Sequence, residues 1–211
     1  VIPYCSSTGT RSTRAALQAA GWRVLVVPTG KDKNYGLDYA IDNGAWSAYQ
    51  RGLPFDEKAF MRTLKWSAKQ DIKPDWIVVP DIVAGGIKSL EYSLGWIDRV
   101  SSYGPLLLAV QDGMTPEHIE RYIGSELGIF LGGTTQWKLS TMMEWGELCH
   151  SKAKDGNRPW YHCGRVNTVR RISLCASSGA DSFDGTSVAR FPCNLGRLNR
   201  ARKQLALPLL G

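Results

Sequence analysis

Most of the short motifs that announce a chemistry are missing from these 211 residues. No Cys-x-x-Cys pair occurs, and the five cysteines, Cys5, Cys149, Cys163, Cys175 and Cys193, are widely spaced and odd in number. Neither a zinc ribbon nor a redox motif is signalled. The thiols read as reduced, which suits a cytosolic protein. His162-Cys163 is a pair that could ligate a metal, but no second pair stands at a suitable spacing, so we expect no metal and no cofactor. There is no P-loop and no Gly-x-Gly-x-x-Gly. No apolar run approaches a membrane span and no charged-then-apolar leader opens the chain, so no membrane partner is expected. The chain starts at Val1, and an initiator Met is expected ahead of it. No fixed-period repeat and no low-complexity linker interrupts it. The length suits one domain over residues 1–211.

What is present is an ordinary globular composition with an uneven charge. The net charge is +7. Residues 1–135 hold 14 Lys/Arg and 14 Asp/Glu, whereas residues 136–211 hold 12 basic and 5 acidic residues. The whole excess lies in the last third, at Arg165, Arg170, Arg171, Arg190, Arg197, Arg200, Arg202 and Lys203. A one-sided basic surface suits a polyanionic substrate, and Arg197, Arg200 and Arg202 are expected to contact phosphates. A merely solvated basic face is the plainer reading.

Along the chain, apolar runs that end in a small or polar cluster alternate with helical patterns. The expected strands are 2–5, 22–27, 39–41, 76–79, 106–110, 129–131 and 161–163, with an eighth at Ser182-Phe183-Asp184. Continuous apolar runs such as Trp22 to Val27 fit strands buried on both faces of a parallel sheet. Helices are expected over 12–20, 55–70, 89–100, from Thr115-Pro116-Glu117, and over 137–151, 167–178 and 195–205. The loop Ser6-Ser7-Thr8-Gly9-Thr10-Arg11 is a weak phosphate cradle, and helix capping is its simpler role. Eight strands alternating with helices or crossover loops predict an α/β protein, a (β/α)8 TIM-type barrel, over an open doubly wound sheet. In such a barrel the strand ends converge at one face. Asp42, Asp81, Gln111, Gly132, Gly133 and Asp184 would then line one pocket.

Three carboxylates, a Gln amide and a Gly-Gly backbone form an unusual set. No Lys at a strand end offers a Schiff base, and no His-rich cluster offers a metal, which weighs against aldolases and amidohydrolases. Paired carboxylates suit chemistry at an anomeric carbon, whose oxocarbenium-like transition state a negative charge stabilises. Gly185 beside Asp184 is expected to leave room for a sugar. The remaining Asp, the Gln and the Gly-Gly backbone can read the edge of a heterocyclic base. Trp46, just after a strand end, is the best placed of the eight Trp residues to stack on a base.

At these residues a family resemblance appears. Tyr39-Ala40-Ile41-Asp42-Asn43-Gly44-Ala45-Trp46 resembles the acid-plus-glycine strand end of the tRNA-guanine transglycosylases. Pro80-Asp81 resembles their base-reading acid, Val110-Gln111-Asp112-Gly113 their Gln strand, and Leu131-Gly132-Gly133 their Gly-Gly. Ser182-Phe183-Asp184 is similar to the nucleophile strand, and Arg190 follows at about the family spacing. The ordered set spans residues 39–190. Within the superfamily it most resembles the phage and bacterial DNA deazaguanine transglycosylases, in a compact form. The chain lacks the cysteine-rich zinc insertion of the tRNA enzymes, and Asn43-Gly44-Ala45-Trp46 replaces their Ser-Gly-Gly-Phe pattern.

The resemblance implies a barrel without a zinc subdomain that replaces guanine in DNA with a 7-deazaguanine such as preQ0. Asp184 would be the nucleophile on C1′ and Asp42 the general acid/base. Asp81, Gln111 and Gly133 would bind the base, with Cys163 and Gly164 lining its pocket. Three other readings compete: a nucleosidase or DNA glycosylase, in which water takes the place of the incoming base; a tRNA-acting transglycosylase; and a nucleic-acid-binding protein without catalysis.

Overall fold

The computed structural model describes residues 1–6, 10–28 and 32–204. The Ser7-Thr8-Gly9 part of the small-residue loop, and Leu205 at the end of the expected basic helix, lie outside the described residues. Eight parallel strands close into a barrel in chain order. They are β1 (Ile2–Ser6), β2 (Arg23–Val26), β3 (Tyr39–Ile41), β4 (Ile77–Val78), β5 (Leu106–Val110), β6 (Leu127–Leu131), β7 (Tyr161–Cys163) and β8 (Ser182–Asp184). The ring is shut by the β1–β8 ladder, with Tyr4 opposite Asp184.

Ten α-helices occur among the described residues: α1 (Arg11–Ala19), α2 (Ala45–Gln50), α3 (Glu57–Ala68), α4 (Ile87–Leu94), α5 (Ile97–Val100), α6 (Pro116–Ile119), α7 (Thr135–Ser151), α8 (Val169–Ser177), α9 (Ser187–Arg190) and α10 (Leu195–Gln204). The fold is therefore α/β with the architecture of a TIM-type barrel. No helix among the described residues is long and apolar enough to cross a membrane.

Several boundaries differ from expectation. The expected helix over 89–100 is two, α4 and α5, which part at Gly95 and Trp96. Residues 45–50, where no element is expected, form α2; this short Ala- and aromatic-containing stretch carries no periodic signal of its own. Strand β4 is only two residues long because Pro80 cannot donate to a ladder.

Helices start where the strands end, and hydroxyl or acid caps mark the starts. Thr10, Asp56, Thr134 and Thr168 each accept the backbone N–H three residues on. These caps occupy orphan N–H groups, and those of α1, α7 and α8 sit at the carboxyl mouth of the barrel.

Side chains alternate between the barrel interior and the layer under the helices. Tyr4, Leu25, Ala40, Trp76, Val78, Leu107 and Ala109 fill the interior, with Ile2, Phe130 and Trp160 packed against them. Tyr4, Trp76 and His162 have no exposed surface. Their rings lie 4.5–5.8 Å apart and floor the interior. Above this floor the alternation turns Asp42, Gln111 and Asp184 inward at the strand ends.

Candidate active site

A cavity of about 310 Å³ opens at the carboxyl end of the barrel. Asp42, Asp81, Gln111, Gly132, Gly133 and Asp184, six residues expected to share a pocket, all line it, as does Trp46. Its volume is at the small end for ligand sites, enough for one nucleoside-sized group.

Asp42 follows β3 and accepts the Gly44 N–H on Oδ1 at 2.7 Å. Burial pushes its carboxyl up to about 7; the Gly44 bond opposes this, while the neighbouring Asp184 and Asp81 charges add to it. Burial likewise pushes Asp81 up to about 6, against a hydrogen bond from Asn43. Asn43 is buried and fully occupied. Its Nδ2 donates to Val79 O at 2.9 Å and Asp81 Oδ1 at 2.8 Å, and its Oδ1 accepts Ala45 N–H at 2.8 Å. Asn43 is thus a clamp between β3 and β4 that orients Asp81.

Asp184 ends β8 and is 7% exposed. Its Oδ1 accepts the Arg165 backbone N–H at 3.2 Å, and its Oδ2 lies 3.0 Å from His162 Nε2. On the other side of the ring, His162 Nδ1 lies 2.7 Å from Ser182 Oγ, which accepts Trp160 Nε1–H at 2.8 Å. Burial holds the imidazole below its usual range, with Asp184 pulling the other way. Both ring nitrogens are engaged inside the barrel, so His162 is not poised as half of a His-Cys metal pair.

Gln111 is in the wall, but its amide braces the β4–α4 loop: Nε2 donates to Ile82 O at 2.9 Å and Oε1 accepts Gly85 N–H at 3.2 Å. Gly133 must be glycine. Its φ is +71°, and a Cβ would stand 2.6 Å from Asp112 Oδ2 and 2.7 Å from the Trp137 ring. Asp112 in turn accepts Thr134 N–H and Oγ1–H at 2.6 and 2.7 Å, tying the β5 and β6 ends together.

Arg165 spans the mouth. Its guanidinium donates to Gly133 O and lies 4.3 Å from the centre of the Trp46 ring, which stacks with Tyr49 at 5.9 Å. Among the described non-glycine residues, four have positive φ, and two of these, Ala84 (58°) and Arg165 (59°), line the cavity. Such backbone costs about 1–2 kcal/mol each and concentrates at functional sites.

Other expected positions fall elsewhere. Cys163 points into the layer between the barrel and α7 and α8, among Met142, Trp145, Ile172 and Cys175, because it is one residue out of phase with His162. Gly164 is needed by the Phe130 ring, which a Cβ would meet at 2.9 Å, and its carbonyl accepts the buried Lys138 ammonium. Arg190 is exposed at the end of α9, outside the cavity wall. Gly185 makes no space for a sugar: it is buried, and a Cβ there would strike the Val166 carbonyl and Asn167 Oδ1. Arg202 does not face outward to phosphates. It donates to Ala20 O at 2.6 Å and closes the end of α1.

Sequence reasoning missed His162, Asn43 and Arg165. The pairing of β7 with β8, His162 opposite Ser182, is the signal that would have turned the His toward Asp184. Neither a scan against protein-family models nor a search of curated proteins finds a match for this chain.

Proposed function

We propose that the cavity exchanges a nucleobase in DNA, replacing guanine with a 7-deazaguanine through a covalent glycosyl-aspartate. The observation that carries this reading is the pair Asp42 and Asp184. They come from different strands, face one cavity and differ in setting. Asp42 is pushed up to about 7 and can carry a proton near neutrality. Asp184 has a donor on each oxygen and offers its remaining lone pairs to the cavity.

In the first half-reaction Asp184 attacks C1′ and the bond from C1′ to the base nitrogen breaks. The electron pair goes to the leaving base, which takes the proton from Asp42. In the second, Asp42 as carboxylate accepts the proton from the ring N–H of the incoming base. That nitrogen then attacks C1′ and expels Asp184. Protons balance over the two steps, and Asp42 ends as it began. A nearby negative charge stabilises the oxocarbenium-like transition state of each step.

The size of the cavity supports a nucleotide withdrawn from the base stack, since a duplex does not enter 310 Å³. Trp46 and Tyr49 at the rim suit stacking with a base. Basic residues in the last third suit the phosphate backbone. The test supplies labelled 7-deazaguanine and guanine-containing DNA or tRNA, and follows both label uptake and guanine release. Label entering DNA with equimolar guanine release is expected. Guanine release without uptake would favour a glycosylase, and uptake into tRNA alone would move the substrate class.

A further inference from the structure

Ser182, His162 and Asp184 have the composition of a serine-hydrolase triad, but the chain runs the other way round. Ser182 is fully buried, and the carboxylate is the end that reaches the cavity. Trp160 Nε1 has only a proton to give, and it gives it to Ser182 Oγ at 2.8 Å. An ionised carboxylate only accepts, so the proton of the neutral ring sits on Nε2 and is donated to Asp184 Oδ2 at 3.0 Å. Nδ1 is then the acceptor, and it takes the Ser182 hydroxyl proton at 2.7 Å. The order of donors is thus set from the carboxylate end, with Trp160 filling a lone pair of the serine. The ring is also clamped: Phe130 stacks on it at 4.9 Å and 21°, and Trp76 lies at 4.5 Å.

We infer that His162 is a positioning residue, which orients Asp184 with a neutral N–H donor and leaves its negative charge available for attack on carbon. The inference rests on Asp184 being the nucleophile. A cation in that place would hold the carboxylate as firmly, yet would neutralise the charge that bond formation uses. Burial, the first influence on the imidazole, disfavours that cationic form. The Arg165 backbone N–H supplies the second, equally uncharged donor, so the carboxylate is held at both oxygens.

Nitrogen-15 NMR of the imidazoles in substrate-free protein should find His162 as the Nε2–H tautomer, unchanged from about pH 5 to 8, across the usual histidine range. His162→Phe keeps a ring but loses the donor. Its rate of adduct formation should fall about 10- to 100-fold, the loss typical when a partner that orients a reacting group is removed. KM for the incoming base should stay constant. His162→Gln, which keeps an N–H near the Nε2 position, should recover most of the rate. An Nδ1–H tautomer, an imidazole that titrates near pH 6.5, or a wild-type rate in His162→Phe would each overturn the role of His162. If His162→Phe does not fold, the tautomer and the rate of Ser182→Ala, which frees Nδ1, decide the matter. Absence of any adduct in wild-type protein with the Nε2–H tautomer intact would instead overturn the nucleophile reading.

Discussion

At the amino end of the barrel Asp75 accepts the Tyr4 hydroxyl at 2.7 Å and Arg23 Nη1 at 2.6 Å, and Arg23 also lies 3.6 Å from Asp38. At the carboxyl end, the other end of the same strands, Asp42 and Asp81 form no ion pair among the described residues. Asp184 is held by an imidazole and a backbone N–H. One end closes its half-buried carboxylate with a guanidinium. The other leaves three carboxylates around an open space and accepts the cost, visible as Asp42 and Asp81 raised toward neutrality. Like charges and burial without a paired cation suit a site for charge-developing chemistry, whereas the paired end is a plug.

The sharpest way to break this contrast is Asp184→Asn. It keeps the shape but lacks the anionic oxygen, so exchange and covalent trapping on a denaturing gel should fall by about 10⁴-fold or more. Folding and DNA binding should persist. Near-wild-type exchange would move the nucleophile to Asp42. Next is Asp42→Asn, expected to slow adduct formation about 100- to 10,000-fold through lost proton transfer. In the wild type, adduct formation should decline as pH rises through about 7, where Asp42 loses its proton. The same shift affects stability. A carboxyl raised from 3.8 to about 7 contributes most below the lower value, and that contribution is lost as pH rises through the upper. Melting curves should therefore show Asp42→Asn gaining on the wild type between pH 5 and pH 8. A constant difference would mean that Asp42 is not raised.

The paired end should respond in the opposite currency. Arg23→Met leaves Asp75 with Tyr4 alone and should cost about 1–3 kcal/mol of stability by denaturant titration. Exchange per folded molecule should be unchanged, and a rate loss there would erase the distinction between plug and site. The smallest effects separate arginines of the basic last helix. Arg202→Ala removes the donor to Ala20 O and should cost about 0.5–1.5 kcal/mol without altering the salt dependence of DNA binding. Neutralising the exposed Arg197 and Arg200 should leave stability intact and flatten that dependence by up to about two units of slope.

Much of this was legible in the chain itself. Most of the eight strands announced themselves as apolar runs cut off by Gly, Pro or an acid, while β1 runs into Ser6 and β5 into Gln111. The wall residues Asp42, Asp81, Gln111, Gly132, Gly133 and Asp184 came together because closure gathers strand ends. What stayed hidden depends on partners distant in sequence. His162 sits in an apolar run beside a Cys and gains meaning only from Ser182 and Asp184, 20 and 22 residues later. Gln111 looks free to read a base until Ile82 and Gly85 engage it. Gly185 resembles an opening, yet the Val166 backbone fills the space. Cys163 differs from His162 by one step of the pleat, and one step decides whether a side chain meets a ligand or a helix.

The aromatic floor of Tyr4, Trp76 and His162 has a kinetic corollary. Among the described residues the floor closes the cavity from below, and Arg165 lies over Trp46 at its mouth. A chamber of this size holds one base at a time. Under the proposed chemistry the departing base must leave before its replacement enters, and the sugar waits on Asp184 in between. Such an enzyme shows ping-pong kinetics, with parallel double-reciprocal lines, and its released base competes with the incoming one for the same vacancy.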